Sequence, residues 1–269
     1  MSATSPPESL IHHVRSGQPN GQPPVLLLNG GMMTAGSWQP IADGLGEGDR
    51  IGCDFRGQLL SPGDGHPTLE AHARDVLALL DHLHIDAVRV IGTSFGGEVG
   101  LVLAATAPER VESLLAFTAT DVTTDSMRRG VKELQRLVSD ILDGEAEASS
   151  FYDFLFDEIH SRAYLETNAA QLAERKALSS GLPQSWYRGL LGILDCTLGI
   201  DVRPLLGQIR CPTTILGAAE DLVMPIEHSH ALAEGIDGAT LEIHPSAGHA
   251  LILEDPAWLI ERCRRFLNA

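Results

Sequence analysis

"VRVIGTSFGGEVGLVLA", residues 88–104, changes character halfway along. Its first part is a β-branched, apolar run without alternation, as a strand covered on both faces requires. After Gly92 come Ser94, Phe95 and two glycines, and then an apolar stretch that reads as a helix. A strand that breaks into a helix through Gly-x-Ser-x-Gly sets the serine on a sharp elbow with its oxygen exposed. The residues two before and two after it, Gly92 and Gly96, are then pressed together, and side chains there would clash. The helix N-terminus beneath offers free N–H groups and a positive dipole end to a developing oxyanion. A hydroxyl is a weak nucleophile unless a base takes its proton and a third group orients that base. Both must come from elsewhere in the chain.

Outward from this stretch, further apolar runs read as buried strands at 25–30 (VLLLNG), 50–55 (RIGCDF), 111–117 (VESLLAF), 213–217 (TTILG) and 239–244. Between them lie helical stretches such as 68–83, which opens on Thr68 as a cap and carries Leu69, Ala73, Val76, Leu79, Leu80 and Leu83 on one stripe. Strand and helix in alternation predict an α/β fold with a mostly parallel sheet and helices on both faces. The alternation stops between about Asp121 and Asp201, where helices are expected near 127–141, 151–159, 164–178 and 186–196 and no strand. A core in two parts, 1–120 and 202–269, with a helical cap inserted at 121–201, is the simplest organisation. The segment FYDFLF, 151–156, concentrates aromatics; anchoring the insertion and lining a pocket are both open to it.

The chain has 269 residues, 43% of them hydrophobic, and a formal net charge of −17. That acidity disfavours nucleic acid and anionic membrane surfaces as partners. Cys53, Cys196, Cys211 and Cys263 are scattered without a Cys-x-x-Cys pair, and read as reduced, mostly buried thiols, neither a disulfide frame nor a zinc site. The N-terminal residues hold no apolar signal core and no run is of membrane length, so the expected location is cytoplasmic.

From about Leu10 to Phe266 the chain resembles the α/β-hydrolases, and within them the small lidded serine esterases and lactonases. Such enzymes order their triad as nucleophile, acid, histidine. The matching positions are Ser94, Asp221 in ILGAAEDLVMP and His249 in HPSAGHALILEDP, each after an expected strand and so at the carboxyl edge of one sheet. The resemblance makes Ser94 the nucleophile, His249 the proton shuttle and Asp221 the group that fixes the imidazole. The spacing to Val223 and Pro225 favours Asp221 over its neighbour Glu220; Asp121, after strand 111–117, is the alternative acid. Of eleven histidines only His249 stands in this setting. His228 and His230 are two apart on an expected helix and point to different faces, which makes no metal site. His12, His13, His66, His72, His82, His84 and His160 fall in polar or helical surface contexts.

The same resemblance assigns the oxyanion hole to the N–H groups of Phe95 and Gly31, with Met32 the alternative if the loop NGGMMTAGSW is shifted by one. It sets Met32 and Val223 at the substrate pocket. Two departures stand out: Asn29-Gly30 where the family commonly has His-Gly, and Leu59 in DFRGQLLS where it has glycine. Only LIHHVR, 10–15, can supply the first antiparallel strand. The expected activity is cofactor-independent and metal-free hydrolysis of a small or medium carboxylic ester or lactone through an acyl-enzyme. A carbon–carbon bond hydrolase or thioesterase with the same triad, and a ligand receptor on the same fold, are the rivals.

Overall fold

The computed structural model describes residues 10–61 and 63–268. Seven strands form one sheet: β1 His13–Ser16, β2 Val25–Leu28, β3 Arg50–Cys53, β4 Val88–Thr93, β5 Val111–Phe117, β6 Thr213–Ala218 and β7 Thr240–His244. Their order is β1-β3-β2-β4-β5-β6-β7; β1 runs antiparallel to β3 and all other pairs are parallel. The first strand is thus present, though only four residues long. This is the mostly parallel α/β sheet that the alternation predicted, in the α/β-hydrolase arrangement that the resemblance implied.

Parallel neighbours need crossovers, and helices provide them. They are α1 Gln39–Gly44, α2 Leu69–His82, α3 Phe95–Thr106, α4 Asp125–Leu142, α5 Ala148–Ile159, α6 Arg162–Thr167, α7 Ala169–Ser179, α8 Gln184–Leu198, α9 Arg203–Leu206, α10 Ile226–Gly235, α11 Leu251–Glu254 and α12 Pro256–Leu267. Thr68 caps α2 by accepting the Ala71 N–H, as its sequence position suggested. Alternate residues of a strand face opposite sides of a sheet, and here both sides are covered. Leu26, Leu28, Val90 and Leu114 pack with α2, α3 and α10. Val25, Leu27, Ile91 and Leu115 pack with α1 and α12 on the other face. Two-sided burial is why these strands read as unbroken apolar runs.

Helices α4, α5 and α8 carry a core of their own, with Val138, Phe151, Tyr152, Trp186, Tyr187 and Leu190 at its centre. Val122 and Asp201 form an antiparallel bridge at the base of this segment, flanked by Val202 N–H to Asp121 O (2.8 Å) and Thr123 N–H to Ile200 O (2.9 Å). The single helix expected at 164–178 is broken at Asn168, whose side chain turns back to donate to Tyr164 O (3.1 Å). Strands 25–30 and 50–55 both end two residues early, because Asn29 and Asp54 leave the ladder for side-chain bonds described below. All four cysteines are free. Among the described residues no helix is long and apolar enough to cross a membrane.

Candidate active site

Ser94 sits between β4 and α3 with φ 51° and ψ −127°, a conformation strained for any residue with a side chain. What holds it there is close packing of backbone. A Cβ on Gly92 would lie 2.4 Å from Gly96 O, and one on Gly96 would lie 2.3 Å from Leu28 O. The glycines at both places are therefore a steric requirement of the turn. Ser94 N–H is tied to Phe117 O (3.0 Å) and its carbonyl accepts from Gly97 N–H (2.6 Å), so the elbow is clamped from both sides.

His249, in the loop after β7, places Nε2 3.1 Å from Ser94 Oγ and Nδ1 2.9 Å from Asp221 Oδ2. An ionised carboxylate can only accept, so Nδ1 carries the hydrogen and Nε2 is left to accept from the serine. Asp221, buried after β6, is itself fixed: Oδ1 accepts from Val223 N–H (2.9 Å) and Met224 N–H (2.7 Å). Burial pushes the His249 imidazole down in pKa, but the charge and hydrogen bond of Asp221 and the charge of Glu98 outweigh it, and its pKa lies above the ordinary value. The chain thus brings Ser94, His249 and Asp221 together. Glu220 is exposed and does not join them. Asp121 is engaged elsewhere, 2.6 Å from Nδ1 of the buried His228.

The N–H groups of Phe95 and Gly31 donate to no protein acceptor among the described residues. They belong to adjoining loops: a Cβ built on Gly31 would lie 4.0 Å from that of Phe95, and one on Gly30 3.7 Å from that of Ser94. The loop's orientation is set by a side chain that the sequence reading passed over. Gln58 Nε2 donates to Gly30 O (2.8 Å) and Gly31 O (3.1 Å), while its Oε1 accepts from Phe55 N–H (2.8 Å) and Asn29 Nδ2 (3.1 Å). In a trans peptide the N–H points away from the carbonyl before it, so anchoring those two carbonyls turns the Gly31 and Met32 N–H groups to the opposite side. Asn29 completes the layer by accepting from Trp38 Nε1 (2.8 Å) and donating to Asp54 Oδ1 (3.2 Å). That is the physical content of Asn29 where the family commonly has histidine.

Ser94 and His249 open on a cavity of about 350 Å³ between the sheet edge and α4, α5 and α8. Met32 and Val223 both line it, with Leu134, Leu155, Leu190 and Ile193 among its apolar walls. The aromatic segment divides its roles: Phe151 and Tyr152 are buried in the helical core, and Phe154 faces the cavity. Among the described lining residues there is no lysine or arginine, and two carboxylates, Glu98 and Glu158. Glu98 is fully buried one turn along α3 from Ser94; Oε1 accepts from Thr120 N–H (2.8 Å) and Oε2 has no partner. Burial pushes its pKa up to about 7. Its signal in the sequence was a lone charge in the apolar run GGEVGLVLAA.

Two histidines depart from their surface assignment. His72 is fully buried against Phe55 and Phe95, where burial and His66 push its pKa down to about 4. His160 is buried with Nδ1 3.3 Å from Glu254 Oε1. Both lie at positions where helices pack inward, which a polar residue type conceals.

The fold and the elbow define a hydrolase, and the chain belongs to the alpha/beta hydrolase fold family, whose sequence pattern matches residues 23–256. It is 32% identical to a protein of Serratia proteamaculans provisionally named carbamate hydrolase RutD, over 86% of each chain. A Caulobacter protein of the same provisional name is 27% identical over 93% of this chain and 92% of its own. Among solved structures, an alpha/beta hydrolase from a Medee basin deep-sea metagenome library, MGS-M2, superposes with a TM-score of 0.90 at 20% identity, over 96% of this chain and 94% of that one. The enol-lactonase of Burkholderia xenovorans superposes with a TM-score of 0.82 at 21% identity, over 96% of each chain. At these identities the structural likeness is one of fold.

Proposed function

We propose that this chain is a serine hydrolase that cleaves a small or medium carboxylic ester or lactone through an acyl-enzyme. The observation that carries the reading is the line Ser94 Oγ, His249, Asp221 at the wall of an apolar cavity. Ser94 attacks the carbonyl carbon as His249 takes its proton, and Asp221 stabilises the imidazolium. The N–H groups of Phe95 and Gly31 receive the oxyanion. Collapse of the tetrahedral adduct sends the proton from His249 to the leaving alcohol, and water then repeats the sequence on the acyl-enzyme. Residues 121–201 act as the cap that closes the cavity over Ser94. A cavity with no lysine or arginine among its described lining residues argues against an anionic diketone, and so against the carbon–carbon bond reading.

The relatives' provisional name favours a second reading, cleavage of a carbamate by the same attack. Steady-state rates on a panel of esters, lactones and carbamates, with Ser94→Ala as blank, test both. Ser94→Ala is expected to cost about three orders of magnitude or more. A fluorophosphonate label on any residue but Ser94, or ligand binding without turnover, ends the hydrolase reading.

A further inference from the structure

Four residues of α5, Phe154, Leu155, Glu158 and Ile159, line the cavity. Their spacing is that of one helical stripe, and on a helix packed over an apolar space that stripe ordinarily carries apolar side chains throughout. Glu158 breaks it. A half-buried carboxylate among Phe154, Leu155 and Ile159 is unfavourable without a partner, and Glu158 makes no ion pair or hydrogen bond among the described residues. No lysine or arginine stands among the described residues that line the cavity with it. Glu98, fully buried with Oε2 unpartnered, lines the same cavity and supplies no cation to it. The remaining titratable group on the lining is His249.

Phe154 and Glu158 are four residues apart and so adjacent on the helix face. An aromatic side chain beside a carboxylate in a mainly apolar wall is the chemistry that recognises an alkylammonium. We propose that the cavity takes esters whose acyl chain ends in a cationic amine, seated against Phe154 with Glu158 as its counter-ion, and that it rejects anionic acyl chains. This rests on the ester-hydrolase reading above and names its substrate class.

The test uses three 4-nitrophenyl esters of matched shape: 4-(trimethylammonio)butyrate, its neutral isostere 5,5-dimethylhexanoate, and glutarate. The expected order of kcat/KM is cationic, neutral, anionic, with the cationic ester ahead of its isostere by about tenfold. Glu158→Gln brings that ratio close to one, and Glu158→Lys places glutarate ahead of the cationic ester. Calorimetric binding of the same three esters to the Ser94→Ala protein reads the preference without turnover. A neutral ester that equals or beats the cationic one in both measurements, or a ratio unmoved by Glu158→Gln, overturns the proposal. Cationic preference in binding without turnover of any ester would instead overturn the hydrolase reading and, with it, the assignment of a substrate, while upholding Glu158 as the counter-ion of a bound cation.

Discussion

Replacing Gln58 by leucine tests whether the oxyanion loop is held from behind. The substitution removes four hydrogen bonds, to Gly30 O and Gly31 O and from Phe55 N–H and Asn29 Nδ2. Two of the four abandoned groups keep a partner. Gly30 O still accepts from Met33 N–H (3.0 Å) and Asn29 Nδ2 still reaches Asp54 Oδ1 (3.2 Å). Gly31 O, in a half-buried residue, and the buried Phe55 N–H are left without one; at about 1–3 kcal/mol for a fully buried group and less for the half-buried one, the fold should lose about 2–4 kcal/mol. The chemical step should lose more than the binding step. A peptide free to rock no longer aims the Gly31 N–H, and one oxyanion donor is worth about 10²–10³ in kcat. The assay is thermal melting first, to establish that Gln58→Leu is folded at the assay temperature, then kcat and KM on an aryl ester. Affinity for an aryl boronic acid, which forms a tetrahedral adduct on serine, is measured beside them. The expected result is a kcat lower by about a hundredfold, KM within about threefold, and boronate affinity falling with kcat. A folded Gln58→Leu protein with unaltered kcat and boronate affinity would refute the reasoning.

Asp221→Asn should be crippling, about 10⁴ in kcat by analogy with amide substitution in serine protease triads, while Asp121→Asn and Glu220→Gln should be mild; a severe loss at Asp121 would move the acid to the end of β5. Since His249 must be neutral to act as base and its pKa is raised, the acid limb of kcat/KM should lie above the ~6.5 of a free imidazole, with a tenfold fall per pH unit below it. A profile flat down to pH 5 would contradict this. Glu98 binds its proton more tightly folded than unfolded, so its contribution is fully present below its ordinary value of 4.5 and is lost as pH rises through about 7. Denaturation between pH 5 and pH 8 should show wild type losing up to about 3 kcal/mol relative to Glu98→Leu, and parallel curves would show that Glu98 does not titrate there. Gly96→Ala, whose methyl would meet Leu28 O at 2.3 Å, should yield a protein with depressed melting temperature and little activity.

The parts of this molecule most legible in the sequence are those governed by local sterics. Gly92 and Gly96 around Ser94 announce the elbow because no other residue fits, and unbroken runs such as VLLL announce strands buried on both faces. Asp221 and His249 were legible only through their order along the chain, because the line they form with Ser94 spans 155 residues and exists only once the sheet is assembled. Gln58 and Glu158 were not legible at all. Each is a polar residue whose meaning lies in what surrounds it, a pair of carbonyls from another loop or an apolar wall, and residue type alone gives the opposite impression. His72 and His160 illustrate the same concealment, since their burial is a property of helix orientation.

The two strands of chain that leave and re-enter the sheet layer at Val122 and Asp201 are joined there as a bridge, beside the Asp121–His228 pair. Both feet of the intervening stretch therefore stand on one spot, and its helices assemble a core separate from the two on the sheet. If residues 121–201 are the proposed cap, such closely spaced ends would make it a cassette, to be lengthened, shortened or exchanged without altering the path of the host. On that proposal, α4, α5 and α8 supply much of the cavity wall from a segment apart from the one that carries Ser94, Asp221 and His249. Evolution could retool the walls around Ser94 while the elbow, Asp221 and His249 stay still, and a laboratory transplant of residues 123–200 from a relative should carry substrate preference with it.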